Sequence, residues 1–89
     1  SIPNEVYSLS TITYLNLGHN KIDKLSSDII KLENLNYLGV FYNPLKSIPS
    51  EVMSLKKLSF ISCWKTNISQ KEIDKIKFRL PNVVVHDTE

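Results

Sequence analysis

Hydrophobic residues recur along this chain at a fixed interval of 23 residues, with polar positions between them at the same offsets. Within each interval two apolar residues are separated by one residue, which is the period of two that a β-strand requires. Each interval therefore predicts one strand, and three strands so spaced predict a parallel stack. The inward strand residues form three pairs, Leu15 and Leu17, Leu38 and Val40, and Ile61 and Cys63.

A second set of apolar residues occupies the remainder of each interval and predicts an irregular segment that returns the chain to the next strand. Its members are Ile22, Leu25, Ile29, Leu32, Leu45, Ile48, Val52, Leu55 and Ile68. Asn20 and Asn43 lie at the bend that leaves each strand, where a side-chain amide satisfies backbone donors and acceptors. The third interval has Thr66 at this position, so we expect the asparagine ladder to end there and the bend to loosen.

The pattern changes after the third strand. Ser69 and Glu72 have the spacing of a capping box, and the apolar residues that follow predict a helix of about three turns ending at Pro81. Residues 82–85 then predict a fourth strand. We expect this segment to cap the last coil, because the end of a solenoid must shield its core from water.

The fold class predicted is α/β, a right-handed repeat solenoid with a curved parallel β-sheet on the concave face and an irregular or 3-10 convex side. A capping helix and a last strand complete it. The chain of 89 residues is predicted to be one domain, divided into a half repeat 1–13, strand-led coils 14–36, 37–59 and 60–69, and a C-terminal cap 69–89. Two interpretations of the first edge are open: a preceding segment has been removed, or this edge meets another chain.

Outward strand positions carry most of the aromatic residues of the chain. Six of the eight fall there and are called the aromatic face: Tyr14, Tyr37, Phe41, Tyr42, Phe60 and Trp64. Strand alignment predicts one ladder of Tyr14, Tyr37 and Phe60, and a second of Phe41 and Trp64, with neighbours about 4.8 Å apart. In the fourth strand we expect Asn82 beside Phe60.

Two interpretations of the aromatic face are open. Aromatic residues favour strands and stack across them at about 0.2 to 1 kcal/mol per pair without any partner. Alternatively, the face binds a partner, because Trp and Tyr are enriched in interface hot spots. The binding hypothesis takes the six aromatic residues together with His19 and Lys65 as the site. It favours a protein or peptide over a sugar, since few amides and carboxylates lie nearby.

Catalysis is not predicted. His19 and His86 belong to the first and fourth strands, about 14 Å apart at sheet spacing, which is too far for a shared metal ion or a proton relay. The sequence contains no phosphate-binding glycine loop, no metal-ligand spacing and no nucleophile with a base beside it. We therefore expect a chain that is not an enzyme and that uses no cofactor and no metal.

Charge and cysteine content narrow the range of partners. The net charge is +2 with both signs interspersed, and only Lys56 and Lys57 are adjacent, so nucleic acid is not expected as a partner. No apolar run approaches the length of a membrane span. Cys63 is predicted to be a buried hydrophobic residue. A single cysteine allows no disulfide within the chain, which fits a bacterial or cytosolic protein.

The repeat L-x-x-L-x-L-x-x-N-x-L resembles the leucine-rich repeat, in its 23-residue class. The linker of residues 47–58 and the ending of residues 67–82 are similar to those of small leucine-rich-repeat proteins of pathogenic spirochaetes. The resemblance implies an exported or surface-associated bacterial protein that binds host or envelope proteins, with a cytoplasmic scaffold or regulator as the alternative. A homodimer through the aromatic face or through the N-terminal edge is compatible with either.

Overall fold

The computed structural model describes residues 2–88, and each coil in this range contributes one strand to a single sheet. The strands are β1 (Tyr14–Asn16), β2 (Tyr37–Gly39), β3 (Phe60–Ser62) and β4 (Val84–His86), all parallel and in chain order. The predicted parallel stack is confirmed. Ser1, the first residue of the predicted half repeat, and Glu89, the last of the predicted cap, lie outside the described residues.

Short 3-10 helices return the chain between strands, as predicted for the convex side. They are η1 (Asn4–Ser8), η2 (Ser27–Lys31) and η3 (Ser50–Ser54). Pro3 and Pro49 precede the first and third in an extended conformation, while Ser26 precedes the second and accepts a hydrogen bond of 3.0 Å from the backbone of Asp28. These entry positions have an extended backbone, which proline adopts readily and which is also the usual conformation of a serine that caps a helix.

The inward columns form one hydrophobic core between the sheet and the 3-10 helices. Leu17, in the first coil, is only partly buried, whereas the other predicted core residues are buried. Burying one such side chain contributes roughly 1.5 to 3 kcal/mol, so the stacked coils stabilise one another. The side chains with no measurable exposure are Ile29, Leu32, Leu35, Leu38, Val40, Leu45, Val52 and Ile61.

The two asparagines at the bends have different roles. The amide of Asn43 is buried, accepts from the backbone N–H of Ile22 at 3.0 Å, and donates to the carbonyl oxygens of Leu17 and Val40 at 2.9 and 3.0 Å. It therefore joins the first coil to the second. Asn20 is exposed, and its amide donates to carbonyl oxygens within its own bend.

The expected loosening of the third bend is wrong. The hydroxyl of Thr66 donates to the carbonyl oxygen of Cys63 at 2.7 Å and accepts from the N–H of Ile68 at 3.4 Å. The backbone N–H of Asn67 donates to the carbonyl oxygen of Leu45 at 2.9 Å, so a main-chain bond joins the coils where the second bend uses an amide. The Thr66 hydroxyl therefore closes the bend with hydrogen bonds to its own coil.

The capping segment begins as predicted with α1 (Gln70–Arg79), whose Ile73 and Ile76 are buried against the core. The Ser69 hydroxyl accepts from the N–H of Glu72 at 3.2 Å, which is one half of the capping box. The Glu72 carboxylate instead accepts from the N–H of Ile48 at 3.4 Å and so ties the helix to the neighbouring coil.

The fourth strand is shifted by two residues from the predicted alignment. Val84 pairs with Phe60, and His86 pairs with Ser62, whereas Asn82 was expected beside Phe60. The reason is the turn after α1, in which the N–H of Val83 donates to the carbonyl oxygen of Leu80 at 3.1 Å. Leaving the helix uses residues that would otherwise belong to the strand.

Candidate functional site

The first predicted ladder is confirmed by ring contacts across three strands. Tyr14 and Tyr37 stack with ring centroids 4.3 Å apart and planes inclined by 8°, and Tyr37 stacks on Phe60 at 5.4 Å and 18°. Strand pairing aligns these three residues in one column. Tyr14, at the edge of the sheet, is 60% exposed, while the other two rings are half-buried.

The second predicted ladder is also confirmed, and it contacts a third column of rings, which consists of His19 and Tyr42. Phe41 stacks on Trp64 at 6.1 Å and 13°. His19 stacks on Tyr42 at 4.4 Å and 17°, and Tyr42 meets Trp64 edge-on at 4.8 Å. Each such pair is worth about 0.5 to 1.5 kcal/mol beyond area burial. The third column lies at the ends of the strands.

His86 links the two ladders, a contact that sequence reasoning missed. Its ring lies 6.2 Å from Phe60 and 6.1 Å from Trp64, and its Nδ1 is 3.3 Å from the hydroxyl oxygen of Ser62. The contact was missed because the fourth strand is shifted by two residues, which brings His86 beside Ser62. With His86 included, the aromatic face becomes one continuous set of ring contacts.

Glycine on the outward positions makes room for rings that lie against the sheet. Both glycines of the chain are there, and neither has a positive φ, so conformational freedom is not their role. A Cβ on Gly39 would lie 2.8 Å from the Tyr37 hydroxyl oxygen, and one on Gly18 would collide with the ring of Phe41. Atoms of the two rings therefore occupy the space that a side chain at Gly18 or Gly39 would need.

A left-handed backbone recurs at the bend of three successive coils. His19, Tyr42 and Lys65 have φ values of 60°, 55° and 56°. Such a conformation costs an L-residue with a Cβ about 1 to 2 kcal/mol, and glycine is the residue that adopts it freely. All three side chains are exposed at the rim of the aromatic face.

The charges around the aromatic face are cationic or absent. Lys65 is exposed beside the rings, and no Asp or Glu within residues 2–88 occupies an outward strand position or a left-handed bend position. Asp87 follows β4, but its carboxylate lies 3.5 Å from the ammonium of Lys77 with 15% of its side chain exposed. Burial, and then the neighbouring Tyr14, raise the pKa of Tyr37 above 10.0, so its hydroxyl is protonated at neutral pH.

Cys63 lies in the core, as predicted. It is 1% exposed, and burial raises the pKa of its thiol from 9.0 to about 11, so the reactive thiolate is scarce at neutral pH.

Within residues 2–88 no group of three or more His, Cys, Asp or Glu side chains could hold a metal ion. The only α-helix in that range has ten residues, and none there has the length and apolarity needed to cross a bilayer.

A second surface feature lies on the convex side, away from the rings. A depression of about 450 Å³ there is lined by Ile30, Glu33, Asn34 and Lys57, among others. The ammonium of Lys57 donates to the Asn34 side chain at 2.8 Å. Ile30 in η2 and Phe78 in α1 are exposed at 46% and 86%, and both lie outside the aromatic face.

Comparison with known proteins identifies a similar solved structure. No protein-family model and no curated protein matches the chain. The structure of a leucine-rich-repeat protein of Leptospira interrogans superposes with a TM-score of 0.87 and 31% sequence identity over 94% of this chain. The matched region is 21% of that protein, so the chain spans about a fifth of its length.

Proposed function

We propose that this leucine-rich-repeat solenoid, which resembles a leucine-rich-repeat protein of a spirochaete, binds a protein or peptide through its aromatic face with His19 and Lys65 at the rim. The fold is that of a protein-interaction scaffold. One observation carries the assignment of the face. The left-handed bend positions hold His19, Tyr42 and Lys65, where glycine would relieve backbone strain.

Stacking within the sheet accounts for part of the aromatic face. The rings of Tyr37 and Phe41 lie over glycine and contact their neighbours, so they stabilise the coils without a partner. Stacking does not account for Lys65, which is exposed, contains no ring and has a left-handed backbone. A side chain kept at a conformational cost favours a role in recognition.

The resemblance supports an exported or bacterial surface protein that contacts host or envelope proteins. A cytoplasmic scaffold or regulator is the alternative, and it would use the same face on an internal partner. Self-association through the face is a third arrangement. These three share one requirement, which is that the aromatic face becomes covered when the partner binds.

The test compares three purified proteins on an array that carries secreted and extracellular-matrix proteins together with bacterial envelope and cytosolic proteins. The first is the wild type, the second is the double variant Trp64→Ala with Tyr42→Ala, and the third is the control Ile30→Ala with Phe78→Ala, which removes apolar groups outside the aromatic face. We expect partners that the wild type and the control retain and that the Trp64 and Tyr42 variant loses. Truncating hot-spot aromatics costs about 2 kcal/mol or more.

Circular dichroism and light scattering accompany the array. A binding profile unaffected by the Trp64 and Tyr42 substitutions, in a protein that remains folded, would contradict the proposal. If the wild type is a dimer and the same variant a monomer, the face is a self-association surface. If internal proteins bind and extracellular ones do not, the cytoplasmic alternative is preferred.

A further inference from the structure

The outward positions of the sheet present hydrogen-bond donors and positive charge. The hydroxyls of Tyr14 and Tyr42 are exposed, the indole N–H of Trp64 can only donate, and the ammonium of Lys65 can only donate. Two carboxylates of the C-terminal segment are engaged elsewhere: Asp87 pairs with Lys77, and Glu72 bonds the backbone of Ile48. A partner that bonds the Trp64 indole and the Lys65 ammonium must therefore supply acceptors, and a carboxylate suits the ammonium best.

From this charge distribution we infer that the partner of the aromatic face is an extended, negatively charged protein segment that places a carboxylate at Lys65 and apolar side chains on the rings. This inference rests on the proposed function and specifies its ligand. Lys65 continues the column of His19 and Tyr42, since all three occupy the same bend with φ between 55° and 60°. A segment running across the strands along this rim would meet the rings before reaching the ammonium.

The distribution of positive charge favours a protein over single-stranded nucleic acid. Nucleic acid carries a phosphate at every nucleotide, and surfaces that bind it combine stacking rings with a continuous basic groove. Here Lys65 is the one lysine among the outward strand and left-handed bend positions of residues 2–88. One fixed cation suits a single carboxylate between apolar contacts.

The test is a selection from a displayed library of random peptides on the immobilised chain. Peptides of about ten residues suffice, because four strands at about 4.8 Å span about 14 Å, or roughly five extended residues. The same library is selected on Lys65→Glu and on Trp64→Ala. Binding of individual peptides is followed through the fluorescence of Trp64, the single tryptophan of the chain.

We expect the wild type to enrich peptides that combine Asp or Glu with apolar residues. Lys65→Glu should weaken these peptides about tenfold or more and should remove the excess of acidic residues from its own selection. Lys65→Gln, which removes the charge but keeps the length, should lie between the two. Trp64→Ala should enrich nothing above background.

Each contrary result has a separate meaning. Enriched peptides that are neutral or basic, or an acidic excess that persists on Lys65→Glu, would overturn the inference while leaving the proposed function in place if Trp64→Ala still abolishes binding. No enrichment on the wild type would overturn both. An oligothymidine of similar length that binds as tightly as the best peptide, and requires Trp64, would assign the face to nucleic acid and overturn the inference.

Discussion

The ring of Phe41 lies over Gly18 of the preceding coil, so close that a methyl group on Gly18 would occupy the space of the ring. The same ring stacks on Trp64 of the following coil. One side chain thus connects three coils across the outward surface, and its position depends on the absence of a side chain at Gly18.

Gly18→Ala tests this packing directly. The added methyl should displace the Phe41 ring and lower the free energy of unfolding by about 1 to 3 kcal/mol, as overpacking does. The measurement is a double-mutant cycle in urea with Phe41→Ala. Since the collision needs both groups, Gly18→Ala should cost little in the Phe41→Ala background. Equal costs in the two backgrounds would show that the ring does not depend on Gly18.

Asn43→Ala should be among the most destabilising single changes outside the apolar core. The substitution leaves the Ile22 N–H and the Leu17 and Val40 carbonyl groups without their side-chain partner, at a cost of about 2 to 4 kcal/mol. Asn20→Ala is the matched control, because its amide is exposed and water can replace it, so we expect about 0.5 to 1 kcal/mol. Urea denaturation of both variants should separate them, and similar losses would refute the cross-coil role.

Lys65→Gly should leave the fold as stable as the wild type or more stable by up to about 1 kcal/mol. Glycine adopts the φ of 56° without steric cost, although it also raises the entropy of the unfolded chain. Lys65→Ala removes the same ammonium but keeps a Cβ, so the difference between the two melting curves isolates the backbone strain. A glycine variant less stable than the alanine variant would contradict strain at this bend.

Cys63 should make stability depend on pH in the alkaline range. Its thiol has a pKa raised from 9.0 to about 11 in the folded protein by burial. Below pH 9 the thiol is protonated in both states, but above it the unfolded chain ionises first, so stability is lost as pH rises toward 11. Relative to Cys63→Ala, the wild type should lose on the order of 1 to 3 kcal/mol between pH 8 and 11. Parallel pH profiles of unfolding would show that Cys63 does not contribute.

Most of the fold could be predicted because one interval governs three coils. The inward position of Leu38, the buried amide at Asn43 and the stack of Tyr14 on Tyr37 all follow from parallel strands that repeat in register. The alignment fails where α1 replaces a 3-10 helix, since Phe60 pairs with Val84, two residues beyond the Asn82 that was expected there. The contacts of His86 were missed for that reason.

The close approach of the rings to glycine and the left-handed bends could not be predicted from periodicity. A repeat pattern specifies which side of a strand a residue occupies, but not the rotamer of its side chain. The two glycines did contain the missing information, because both fall on outward positions next to aromatic neighbours. The left-handed residues gave no signal, since His, Tyr and Lys replace the expected glycine or asparagine.

Nuclear magnetic resonance shows residue by residue whether a partner covers the aromatic face. The uniformly ¹⁵N-labelled chain is titrated with a peptide enriched by the selection or with a protein retained on the array. If the partner covers the aromatic face, the signals of the Trp64 indole N–H and of the backbone amides of His19, Tyr42 and Lys65 should shift, while those of Ile30 and Phe78 should remain unchanged. Shifts confined to the convex depression or to α1, with the Trp64 indole unaffected, would contradict it.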